Sequence, residues 1–172
     1  MVDKNGAHSP AVHFDETTVA VAHERLARPG PVPSPGGDGT LGQAYFDSLR
    51  KAYQPSGGLA DVDVLAFTLE AARRTGSESL SRLVVLGKVF SFAWGTTFWV
   101  PMFQFESADL SVRQASSEVL SELIPALDGL SIAAWFLQPQ AALQGRSPLG
   151  TLDADPAAVL RAAHARRLAV HR

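Results

Sequence analysis

Residues 89–105 read VFSFAWGTTFWVPMFQF, and within them the period of the apolar residues changes. Phe90, Phe92 and Trp94 alternate with small residues, the two-residue repeat of a strand whose side chains point to opposite faces in turn. Gly95-Thr96 is turn chemistry, and TFWVPMFQF runs back. The stretch predicts a β-hairpin with an aromatic face. Pro101 should mark its end or an edge position, because proline has no ladder donor. The aromatic set Phe90, Phe92, Trp94, Phe98, Trp99, Phe103 and Phe105 is expected to divide between core and partner surface. Burying each large ring is worth roughly 1.5–3 kcal/mol, and a small domain covers only one face of a strand pair well.

Helical spacing surrounds this hairpin. LGQAYFDSLRKAY, from Leu41, sets Leu41, Ala44, Tyr45, Leu49 and Ala52 on one face. Residues 54–58, QPSGG, stop it. LADVDVLAFTLEAARRTG follows from Leu59 and reads as a helix with Val62, Leu65, Ala66 and Leu69 inward, Arg73 and Arg74 in its last turn and Gly76 as C-cap. Asp61 and Asp63 sit at its start, where the helix dipole favours them. A shorter helix, ESLSRLVVLG, ends at Gly87. After the hairpin, Val119, Leu120, Leu123, Ile124 and Leu127 form an apolar stripe, with Ser111, Ser116 and Ser117 as alternative N-cap regions. LSIAAWFLQ is apolar all round, which predicts burial. Ser147-Pro148 and Asp155-Pro156 each pair a capping residue with proline at the first helical position, and open two more helices.

The expected fold is therefore mainly α with a small β-hairpin, a helical bundle-like domain. Residues 1–40 stand apart as a disordered head and linker, because ARPGPVPSPGGDGT (27–40) buries little apolar surface; residues 16–27 have the spacing of a short helix. The expected units are 1–40, then 41–105 with helices and hairpin in a degenerate helix-turn-helix-like order, then 106–172 as a helical domain.

At 172 residues and a formal net charge of −2, nothing draws the chain as a whole toward nucleic acid or membrane. Cysteine is absent, which excludes disulfides and thiolate chemistry. No apolar run approaches the roughly 20 residues that cross a bilayer, and the N-terminus lacks signal-peptide character, so a cytoplasmic location is expected. Gly37, Gly39 and Gly42 satisfy G-x-G-x-x-G, but the dinucleotide fingerprint needs a strand before it and PGPVPSP is none. Asp153 and Asp155 form D-x-D, which capping explains at Asp155-Pro156. His164 and His171 are too far apart in sequence for a helical zinc pair, and His8, His13 and His23 fall in the head. No Ser/His/Asp constellation, P-loop or HExxH is present, so no catalytic residue, metal or cofactor is expected.

The middle of the chain also has a winged-helix order: helix, turn, short helix, hairpin. A DNA-binding reading would send residues 78–86 into a major groove, with Arg82 and Ser79 reaching bases and Arg73, Arg74 and Lys88 touching phosphates.

A second reading comes from WFLQPQAALQGRSPLGTL, residues 135–152. Its Trp135-Phe136, Pro139, Leu143, Gly145-Arg146, Pro148 and Leu152 resemble the W-[FL]-x-x-P-N-x-x-L-x-G-x-x-P-x-x-L pattern of Xre/MbcA/ParS-like antitoxin toxin-binding domains. PMFQFE, residues 101–106, is similar to a phrase that precedes this domain in many members. The likeness covers about residues 85–170; Gln140 stands where the family has Asn. It implies a protein that neutralises a RES-type toxin by direct binding, with a homodimer expected. The partner-contacting residues it implies are Trp135, Phe136 and Arg146, together with Arg166, Arg167 and Arg172 in the segment 161–172 (RAAHARRLAVHR) that would block the toxin's cleft. A third reading is a scaffold that keeps the fold without such a partner.

Overall fold

A computed structural model describes residues 39–72 and 78–170. The elements in chain order begin with α1 (Gly39–Tyr53), β1 (Leu59–Asp61), α2 (Val62–Ala71) and α3 (Leu80–Val85). The hairpin β2 (Phe92–Trp94) and β3 (Thr97–Pro101) follows. The chain closes with α4 (Gln114–Leu123), α5 (Gly129–Leu137), α6 (Pro148–Thr151) and α7 (Pro156–Val170). The expected mainly α fold with a small hairpin is what the described residues adopt.

The hairpin is part of a three-stranded antiparallel sheet in the order β1-β3-β2. Phe92 pairs with Trp99 and Ala60 with Val100. Gly95 turns between β2 and β3 at φ +63°, a conformation that an L side chain resists. The third strand, β1, corrects the expectation that a helix runs from Leu59. Residues 59–61 are extended, and the helix starts only at Val62 because the Asp61 carboxylate accepts hydrogen bonds from the Asp63 and Val64 amides. Beyond that start, Val62, Leu65, Ala66 and Leu69 turn inward as their spacing predicts. Arg73, Arg74 and Gly76 lie outside the described residues.

The sheet is a wall between two apolar clusters. Leu59, Phe92, Trp94 and Trp99 face the larger one, with Phe46, Tyr53, Phe103, Val119, Phe136 and Val159. Ala60 and Val100 face the smaller one, with Leu65, Leu80 and Leu83. Helices cover the first face, whereas on the second they cover Ala60 and Val100 but leave the hairpin end partly open, with Ala93 exposed and Phe98 half-buried outside both clusters. Packing in the larger cluster runs without interruption across residue 105.

Burial on α1 is rotated from the expected face. Phe46, Leu49 and Tyr53 are inside, whereas Ala44, Tyr45 and Ala52 are exposed. Of the three rings on the helix, Phe46 and Tyr53 go inside: Phe46 has no polar atom to keep in water, and the Tyr53 hydroxyl finds an acceptor in the core, whereas Tyr45 stays at the surface. Similarly, Ile124 lies outside, beyond the end of the stripe Val119, Leu120 and Leu123 on α4. None of the expected serines caps α4: its N-cap is Arg113, and Ser116 is buried with its hydroxyl donating to the Arg113 carbonyl.

One polar contact joins α1 to α5 inside the core: Tyr53 Oη donates to the Ala133 carbonyl at 2.8 Å. Burial pushes the Tyr53 phenol far above its usual range, and nearby Tyr45 adds to the rise. Tyr53→Phe is therefore expected to cost about 1–2 kcal/mol near neutral pH. A raised folded-state value means this stability is complete below the unfolded phenol's value of about 10 and is lost above it, where the unfolded chain ionises and the folded one does not. Urea unfolding at about pH 8 and about pH 11 should find the gap between wild type and variant closing. A gap that persists unchanged would contradict the buried neutral phenol.

Candidate partner interface

Between the end of α5 and the start of α7 the chain makes a compact reversal. Asp128 caps α5 by accepting from the Ser131 amide at 2.9 Å, and Trp135 and Phe136 then enter the core side by side with rings edge-on, centroids 5.2 Å apart. Phe136 also packs against Phe103 at 4.6 Å and is fully buried. Gln144 and Gly145 take positive φ, and the Gly145 and Arg146 amides close the turn onto the Gln140 and Leu143 carbonyls. The Ser147 hydroxyl accepts from the Gly150 amide to start α6, and Asp155 accepts from the Ala158 amide to start α7. Thr151 and Leu152 are buried beneath this turn.

This placement corrects two expected contact residues. Trp135 and Phe136 are core residues with almost no exposed surface, so no partner reaches them without unfolding the domain. Arg146 is exposed, with its Nε 3.4 Å from the Leu143 carbonyl, and is free to face outward. On α7, Arg166 is exposed, while Arg167 is held by Glu122 of α4 at 2.8 Å. His164 Nδ1 also reaches Glu122, at 2.9 Å. The hydrogen bond from His164 and the Arg167 charge hold the Glu122 carboxyl below the usual carboxylate range. Arg172 and His171 lie outside the described residues.

The residues proposed to read DNA are tied up differently. Ser79 caps α3 by accepting from the Arg82 amide. Arg82 and Lys88 both turn to one carboxylate, Glu78, at 3.4 and 2.9 Å. The hydrogen bond from Lys88, with the charges of Lys88 and Arg82, holds Glu78 below its ordinary value. A carboxylate at the centre of the would-be basic face repels phosphate.

Sequence reasoning missed a groove of about 880 Å³ between the 3-10 turn at Met102–Gln104 and the α6 segment. Its walls come from both stretches that carry the family-like pattern: Met102, Phe103, Phe105 and Glu106 on one side, Ser147, Leu149, Gly150, Leu152 and Asp153 on the other. Arg113 straddles it, with Nε 3.3 Å from Glu106 and an Nη donating to Asp153. This triad joins the 106–113 segment to Asp153, 40 residues further on, and no local pattern announces it. Among the described residues no cluster of His, Asp or Glu is arranged to hold a metal ion, and no helix is long and apolar enough to cross a membrane. No family model, no curated protein and no solved structure matches the chain.

Proposed function

We propose that this chain is a protein-binding module of the antitoxin type, which neutralises a RES-type toxin by direct contact through the outer end of α7. One observation carries the reading. The last turns of α7 present Arg166, Leu168 and Val170 to solvent, with Leu168 47% and Val170 44% exposed, so a cationic and apolar surface projects past the last α4 residue that grips it, Glu122. Arginine beside exposed apolar side chains is the composition of interface anchors. The reversal at residues 135–152 supports the reading from beneath, because Trp135, Phe136, Leu143 and Leu152 pack in one cluster with Val159, Ala162 and Ala163 of α7.

Co-expression of the full chain with a RES-type toxin is expected to relieve toxicity. Truncation after Ala163 is expected to raise the Kd for the toxin at least about tenfold, equivalent to about 1.4 kcal/mol. Unimpaired binding by the truncated chain removes the α7 contact. Failure of the full chain to bind such toxins removes the antitoxin reading and leaves that of a scaffold.

The alternative, a DNA-binding regulator, is favoured by the order β1-α2-α3-β2-β3, in which a short helix precedes a hairpin. Affinity for its own promoter should then fall steeply with salt and drop further in Arg82→Ala. A flat response dismisses it.

A further inference from the structure

We infer that the groove straddled by Arg113 receives the outer end of α7 from a second copy of this chain, reciprocally, in a two-fold dimer. The groove and the arm are complementary. The groove offers apolar side chains of Met102, Leu110, Leu137 and Leu149 under a rim that carries Glu106 and Asp153, whose side chains are 54% and 74% exposed. These two carboxylates share the single guanidinium of Arg113, which leaves the rim with one negative charge in excess. The end of α7 offers the converse: Val170 is exposed one turn beyond Arg166, Leu168 is exposed on the opposite side two turns beyond Arg161, and neither arginine has an ion pair among the described residues.

The arm cannot fill its own groove. Asp153 lies just before α7, and the 15 residues of that helix carry its end about 22 Å away at 1.5 Å per residue. A two-fold axis solves this geometry, because each copy's arm then meets the other copy's groove and the contact closes at two subunits. The inference stands without any toxin. If the antitoxin reading also holds, the same arm serves either a second copy or the toxin, and dimerisation competes with neutralisation.

Sedimentation velocity of the full chain, without toxin, from about 10 to about 200 µM is expected to follow a monomer–dimer equilibrium weakened by salt. Leu168→Asp changes a solvent-exposed residue and should leave the circular dichroism spectrum unaltered while weakening the dimer at least about tenfold. Asp153→Lys and Arg166→Glu should each weaken it, and an equimolar mixture of those two variants should associate more tightly than either alone. A monomer throughout this range overturns the inference. So does a dimer indifferent to Leu168→Asp, or a mixture no tighter than its components.

Discussion

Gly129→Ala is expected to be among the most damaging single substitutions in the chain, costing about 3 kcal/mol or more and lowering the melting temperature by about 10 °C. Gly129 is the first residue of α5, and it lies flat against the entry to the hairpin. A Cβ placed there would stand 2.1 Å from the Ser91 carbonyl oxygen, 3.1 Å from that carbonyl carbon and 3.2 Å from the Phe92 Cα. All three are backbone atoms, so no rotamer change relieves the clash, and α5 must move off the sheet as a body. That movement withdraws Ile132, Ala133 and Phe136 from the cluster they complete. Gly42→Ala is the control. Its Cβ would meet only the Trp94 ring at 3.8 Å, and alanine gains up to about 1 kcal/mol of helix propensity over glycine. Thermal melts of the two variants should move in opposite directions. A Gly129→Ala protein that melts within a few degrees of wild type would mean that α5 does not press on the hairpin at this point.

Gln104→Ala is expected to cost about 3–5 kcal/mol, because three buried backbone groups lose their partner at once. Gln104 is fully buried. Its Oε1 accepts from the Phe90 amide at 2.7 Å, and its Nε2 donates to the Phe90 carbonyl at 3.0 Å and to the Pro101 carbonyl at 2.9 Å. The side chain acts as a short piece of extra strand where regular pairing has run out. Gln104→Glu keeps the volume but removes the donor and turns a carboxylate toward two carbonyl oxygens, so it should be as harmful as alanine or worse. Chemical denaturation separates the cases. If Gln104→Ala lost less than about 1 kcal/mol, the amide would be filling space rather than satisfying the backbone.

Much of the fold could be read from period alone. The switch from helical to alternating spacing at residues 89–105 located the hairpin, and Ser147-Pro148 and Asp155-Pro156 located the starts of α6 and α7. What escaped were features that exist only after distant segments meet. β1 is three residues long, too short for a period, and it is a strand because β3 offers an edge. The rotation of α1 follows from which ring finds Trp94 and Trp99, with Phe46 stacked on Trp94 at 5.3 Å. Gln104 is one polar residue in an aromatic run, and nothing in its local spacing reveals the backbone groups of Phe90 and Pro101 that it bonds. Arg113 draws its meaning from Glu106 and from Asp153, 40 residues further on. Trp135 and Phe136 were legible as anchors of a buried helix, but the contact role that the family likeness implies for them is incompatible with their burial. The groove between residues 102–106 and 147–153 was not legible at all, since concavity is a property of the assembled surface.

The wall-like position of the sheet bears on how the protein is made. Phe46, Tyr53, Phe90 and Phe103 all precede the helices that cover them, and the last of their cover is Ala163 on α7, about 60 residues after Phe103. A ribosome adding roughly 5–20 residues per second needs about 3–12 s for that interval. During those seconds the nascent chain displays an aromatic surface that the finished protein hides, so a chaperone engaging it in mid-synthesis would grip residues unavailable to any later partner.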